Sequence, residues 1–118
     1  MSITFYSKRG SPIAYMEDAY HIFLFTGKTV AYIDGDSIYN YNGKHLGFFE
    51  DGWIRDHQGF YLFFTENATG GPDRAMQDIG PVKSEKSEIP SKNKKDNKPP
   101  KPENKEVWSE LKWQQFFV

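Results

Sequence analysis

The chain has 118 residues, with 15 Lys and Arg against 16 Asp and Glu and no cysteine. That length fits one compact domain, and the missing cysteines exclude disulfides and thiolate metal sites. Extra stability must then come from packing, a docked segment or self-association. No apolar run could cross a membrane as a helix, and the N-terminal "MSITFYSKRGSPIAYMEDAYH" lacks an apolar core before a cleavage site, so the expectation is a soluble, cytoplasmic protein.

Self-similarity appears at once along the chain. Gly10, Gly27, Gly43 and Gly59 are spaced by 17, 16 and 16 residues. Phe5, Ile22, Ile38 and Ile54 stand five residues before them, Ile13, Val30, Leu46 and Leu62 three after, and Tyr15, Tyr32, Phe48 and Phe64 five after. A period of 16 is too short for a helix pair and suits one β-hairpin per repeat, with repeats at about 3–19, 20–35, 36–51 and 52–66. In "SKRG", "NYNG" and "DHQG" a Ser, Asn or Asp lies three residues before the glycine. That is the signature of a type I turn closed by a left-handed glycine, a three-residue hairpin loop with a glycine bulge. The second repeat, "LFTG", departs from it at Leu24.

This loop pairs Ile38 with Leu46 and puts Phe48 on the same face, so the apolar positions of all four repeats share one side. The other side then carries Tyr6, Phe23, Tyr39 and Arg55 before the turn and Ala14, Ala31, Gly47 and Phe63 after it. Three small residues with one large one suggest crowding near a pseudo-symmetry axis, or a small-residue position under a neighbouring strand. The acidic connections "MED", "IDGD" and "FEDG" join the hairpins. Isolated hairpins are marginal in water, and eight strands can close into a small barrel without edges. The predicted fold is all-β: a shallow pseudo-four-fold barrel of four consecutive hairpins within residues 1–70.

These hairpins, the stretch "AYIDGDSIYNYNGKHLGFFEDGWIRDHQGFYLFFTENA" and the Gly-Pro-rich sequence after it resemble the four-fold β-flower family of bacterial proteins. The resemblance covers residues 3 to about 72 and extends to the terminal "WSELKWQQFF". It implies a shallow symmetric barrel with hairpins spread like petals. It brings no established activity and no catalytic residues. Leu24, Arg55 and Phe63 depart from the repeat.

Residues 71–106 are rich in Gly, Pro, Lys and Ser and show no hydrophobic alternation, which predicts a disordered, extended linker. Residues 83–106 hold eight lysines and five acids, a local +3 that leaves −4 on the rest of a chain whose total is −1. An acidic body beside scattered lysines argues against nucleic-acid binding. Composition then reverses in residues 107–118, where Trp108, Leu111, Trp113, Phe116 and Phe117 crowd together. Such a patch needs a partner. Docking on the chain's own barrel is the favoured reading, with another protomer, a separate partner or a membrane as alternatives. Spacing fits helix and extended chain equally.

No chemistry emerges from the motifs. His21, His45 and His57 fall at different repeat positions without metal spacing and read as surface or turn residues. No serine or threonine lies in a nucleophile motif. Glu17, Asp34, Glu50 and Glu66 recur seven residues after each glycine; solvated turn acids are favoured over a metal ring. Neither metal nor cofactor is expected. Lys8, Phe25, Tyr41 and His57 stand near the loop tips and would make an aromatic and basic rim, unless each folds back over its own hairpin. With Arg55 and Phe63 they are the candidate interaction residues. Two readings follow: a non-catalytic interaction or structural module whose partner is a protein or hydrophobic ligand, and a lipid-binding or membrane-surface protein using the barrel mouth or the tips.

Overall fold

In the computed structural model, which describes residues 2–118, eight strands run in chain order: β1 Ile3–Tyr6, β2 Pro12–Met16, β3 His21–Leu24, β4 Thr29–Asp34, β5 Ser37–Tyr39, β6 His45–Glu50, β7 Trp53–Arg55 and β8 Tyr61–Phe64. Each pairs antiparallel with the next, and Tyr6 of β1 pairs with Phe64 of β8 to close the barrel. The molecule is a disc of 36 × 36 × 24 Å. Its two equal long dimensions are what four similar hairpins about one axis produce.

The hairpin loops have one geometry throughout. Gly10, Gly27, Gly43 and Gly59 have φ of 86°, 95°, 92° and 92°, and each donates its N–H to the carbonyl three residues back, on Ser7, Leu24, Asn40 and Asp56. Asn40 Oδ1 also accepts from the N–H groups of Asn42 and Lys44, and Asp56 Oδ1 from those of Gln58 and Phe60. Leu24 cannot accept in this way, yet its loop closes identically. The backbone bond and the glycine suffice.

The predicted facing of the strands is wrong by one residue. Ile38 pairs with Gly47, not Leu46, because the register shifts between Ile38 and Tyr39. The same irregularity falls at Phe5/Tyr6, Ile22/Phe23 and Ile54/Arg55. An inserted residue reverses every side chain beyond it, so Phe48 and its equivalents point away from Ile38. Inside the barrel, Phe5 opposes Ala14, Ile22 opposes Ala31, Ile38 opposes Gly47 and Ile54 opposes Phe63. A large residue meets a small one in three hairpins, and two large ones meet in the fourth. Leu46 remains buried at the bulge.

The outer face is aromatic. Across the seams between hairpins, Tyr15 stacks on Phe23, Tyr32 on Tyr39 and Tyr6 on Phe64, with centroids 5.8, 5.9 and 5.4 Å apart. Phe48 instead pairs with Arg55. These rings are buried, although no other strand covers them.

Residues 71–106 provide the cover, and this corrects the expected disordered linker. They form no helix or strand, but they wrap around the barrel in four equal steps. Pro72, Pro81, Pro90 and Pro99 begin "PDRAMQDIG", "PVKSEKSEI", "PSKNKKDNK" and "PPKPENKEV", a nine-residue repeat with Arg74, Lys83, Lys92 and Lys101 two residues on. At about 3.1 Å per extended residue, nine residues span about 28 Å, roughly a quarter of the perimeter of a disc 36 Å across. One nonapeptide therefore advances one hairpin.

The terminal segment ends the wrap. Trp108 forms a parallel bridge with Tyr61, and α1, Trp113–Phe116, is a single helical turn. Phe116 and Phe117 join the central core, at 3% and 7% exposure. Both lie against Phe63, with centroids 5.9 and 5.6 Å away.

Candidate functional site

The most elaborated surface of the molecule is the ring that holds residues 71–106. At each loop glycine a carbonyl of the wrapping segment sits where a side chain would start: an added Cβ would lie 2.0 Å from Met76 O at Gly10, 1.9 Å from Glu85 O at Gly27, 2.0 Å from Lys94 O at Gly43 and 2.0 Å from Glu103 O at Gly59. Two residues later the chain donates back. The N–H groups of Asp78, Ser87, Asp96 and Lys105 reach the carbonyls of Gly10, Gly27, Gly43 and Gly59 at 2.8, 2.7, 2.8 and 3.1 Å. Ser84 and Asn93 add bonds to Phe25 O and Tyr41 O at 2.8 and 3.0 Å. The glycines thus serve twice, once for the turn and once as bare backbone for docking.

This double use gives a test. Gly43→Ala forces a residue with a Cβ into the left-handed region, at a cost of about 1–2 kcal/mol, and drives that Cβ into Lys94 O. The expected result is fast amide exchange at Asn93 and Asp96 with the barrel ladder still protected, read by hydrogen–deuterium exchange.

Side chains follow the same register. Lys83 Nζ lies 4.2 Å from the Tyr15 ring centroid, and Lys92 Nζ lies 4.3 and 4.6 Å from those of Tyr20 and Tyr32, within cation–π range. Lys86 and Lys95 lie 5.3 and 5.6 Å over Phe23 and Tyr39. The acidic connections complete the sites. Glu17 pairs with Lys83 and Lys86, Asp34 with Lys95 and Lys98, and Lys101 bridges Asp36 and Glu50. The lysine hydrogen bonds hold the Glu17, Asp34 and Asp36 carboxyls below their usual range. Three of the four recurrent acids therefore bind the chain's own lysines, and only Glu66 stays exposed and outside the ion pairs. The opposite charges of the two parts of the sequence are complementary surfaces.

One quarter of the ring differs. Where the other seams carry an aromatic pair, Arg55 stands opposite Phe48, 1% exposed, with Nη2 donating to Glu50 Oε1 at 3.1 Å and Nη1 unpartnered. The wrapping segment changes at the matching place, with Asn104 at the position that Lys86 and Lys95 occupy in earlier steps. Asn104 and Arg55 line one cavity of about 220 Å³ together with Glu50 and Glu106. A cation on the barrel removes the need for one on the wrap, and would repel it.

The candidate interaction residues do not form an exposed rim. Tyr41 is 8% exposed, its hydroxyl donates to Ala31 O, and burial pushes its pKa up to about 12. Phe25 packs edge-on against Tyr15. Arg55 and Phe63 are buried, Phe63 against Phe116 and Phe117 of the chain's own terminal segment. Lys8 and His57 alone of the six remain exposed. In the terminal segment, Trp108 packs on Trp53 and Phe64, and its Nε1 donates to Asp73 O. Trp113 packs partly against the core, and Leu111 stays 38% exposed, beside a cleft of about 700 Å³ that also touches His57 and Trp108.

His45 is not a surface histidine. It is 4% exposed; its Nε2 meets Ser37 Oγ at 3.0 Å, and its Nδ1 meets His57 Nε2 at 2.9 Å. Burial, with His57 and Lys98 nearby, lowers its pKa to about 4. Ser37 itself is 1% exposed. Among the described residues no three His, Asp or Glu side chains converge on a metal-sized site, and no helix is long and apolar enough to cross a membrane.

A family model described as 4-fold beta flower protein matches residues 3–117, and so includes the wrap and the terminal segment as well as the barrel. No curated protein and no solved structure matches the chain.

Proposed function

The chain belongs to the 4-fold beta flower family, and from that premise we propose that it is a non-catalytic interaction or structural module whose barrel is a docking ring for an extended, lysine- and proline-rich segment, filled here by its own residues 71–106. The observation that carries this reading is the matched pair of periods. A 16-residue repeat presents a bare glycine loop, an aromatic seam and an acid, and a nine-residue repeat presents a carbonyl, an amide and a basic residue to them in turn. Even the irregular quarter is matched, with Asn104 opposite Arg55. Supporting the absence of catalysis, the Ser37 hydroxyl, which has the His45 ring beside it, lies out of solvent's reach. The membrane-surface reading loses its main support with the burial of Tyr41.

Amide exchange tests the docking. The N–H groups of Asp78, Ser87, Asp96 and Lys105 should exchange far more slowly than in an unfolded peptide. A Glu17→Lys, Asp34→Lys double variant should speed exchange at Ser84, Ser87, Asn93 and Asp96, while the β1–β2 ladder stays protected. Glu50 is unsuitable for this purpose, because removing it strands the buried Arg55 charge. Unprotected amides throughout 74–105 in the wild type would refute the docking ring.

A further inference from the structure

We infer that the docking ring accepts the wrapping segment of a second copy of this chain, so that two copies can exchange residues 71–118 reciprocally. This rests on the docking-ring reading and adds the partner. Every group that holds the segment, from the loop glycines to Glu17, Asp34 and Asp36, recognises features the segment carries in every copy. The charges say the same, since residues 71–118 hold ten basic and eight acidic residues, a net +2, and residues 1–70 five basic and eight acidic, a net −3. A second copy therefore offers the ring a ligand already matched in period, sign and irregular step.

What selects between own and foreign segment is the short connection after the last hairpin. Ala68 is anchored by its N–H to Thr65 O at 3.1 Å, and Gly71 lies against Trp53 and Tyr61 with no room for a side chain. Between them Gly70 has φ of 68°, and a Cβ there would meet nothing within 4 Å. The path onto the chain's own ring thus passes through two consecutive left-handed glycines, Gly70 and Gly71, with φ of 68° and 76°, and of the two Gly70 is the one whose surroundings tolerate substitution. Closure onto the same chain enjoys an effective concentration in the millimolar range, so the wild type is closed on itself in dilute solution. Remove the left-handed turn and the segment leaves in another direction, with its lysines, Trp108, Phe116 and Phe117 unmatched. The nearest surface that satisfies all of them is another copy's ring, and reciprocal exchange closes as a two-fold dimer.

Gly70→Pro is the deciding variant, because proline holds φ near −65°. Light scattering after size exclusion should report twice the monomer mass at micromolar concentration, with the amides of Ser87 and Asp96 still protected. Adding Lys83→Glu, Lys86→Glu and Lys95→Glu should return it to a monomer. If the proline prevents folding of the barrel, judged by ladder-amide protection, deletion of Gly70 and Gly71 shortens the same connection and is read identically. A monomer, whether its segment is protected or exposed, overturns the exchange, as does a dimer that survives the three lysine reversals. Either result leaves the docking ring standing on the wild-type amide protection, whose absence would instead overturn that reading.

Discussion

Phe63→Ala lowers the unfolding free energy by about 3–5 kcal/mol, the range for a buried phenylalanine cut to alanine, against a total of about 5–15 kcal/mol for a domain of ordinary stability. At first sight the change should be mild. Alanine or glycine already stands at the equivalent positions 14, 31 and 47, so the variant is more symmetric than the natural chain. The difference lies in what the small residues leave open. An added Cβ on Gly47 would lie 2.9 Å from the Phe116 ring, and Phe117 stacks on Phe63 at 5.6 Å. The space that three small residues leave is filled by the terminal segment, which is seated on the fourth, large residue. Removing Phe63 therefore empties its own site and unseats its neighbours. Chemical denaturation should show the lowered midpoint. In a cycle with Phe117→Ala, the losses should be less than additive by about 0.5–1.5 kcal/mol, the worth of an aromatic pair. Full additivity would mean that the terminal segment does not rest on Phe63.

Much of the barrel was legible because its determinants are local. A hairpin loop needs only a glycine and a backbone bond, so Gly10, Gly27, Gly43 and Gly59 mark every loop, including the one where Leu24 breaks the side-chain pattern. Facing was harder. The bulge between Ile38 and Tyr39 adds one residue, and with a period of two one residue is enough to exchange inside for outside. Leu46 stays buried either way, which masks the error when only apolar content is weighed.

The docking ring was missed for a different reason. Residues 71–106 have no hydrophobic periodicity, because they dock through carbonyls, amides and ammonium groups. The signal was present in another alphabet, as prolines at 72, 81, 90 and 99 with a basic residue two places after each. Without it, Tyr15, Tyr32 and Phe64 read as part of the shared apolar face, and the recurrent acids as solvated turn residues. Tyr41 could not be assigned from its hairpin alone, since its carbonyl accepts from Asn93, about fifty residues away in sequence.

Acid should destabilise this protein from about pH 6.5 downward, through His45. In the folded chain burial lowers its pKa to about 4, whereas the unfolded chain takes up the proton near 6.5. The unfolded state then binds more protons between these values, so stability is complete above pH 6.5 and falls as pH drops towards 4. The loss is at most about 3 kcal/mol, at 1.36 kcal/mol per unit. The geometry shows why the site resists a second proton. The rings of His45 and His57 meet nitrogen to nitrogen at 2.9 Å, so one hydrogen serves both, and a charged His45 would face His57 and Lys98 with only Asp36 and Asp96 to offset them. Tyr39 and Phe48 pack on its ring, with centroids 5.1 and 5.0 Å away. Glu17, Asp34 and Asp36 are held below the usual carboxylate range, so their contribution to docking falls from about pH 5 downward, beneath most of the histidine's window. Denaturation measured at intervals from pH 7 to 4.5 should therefore isolate the histidine, and His45→Gln should flatten the curve across that window. A wild-type stability that does not change from pH 7 to 4.5 would show that His45 is not held neutral by the fold.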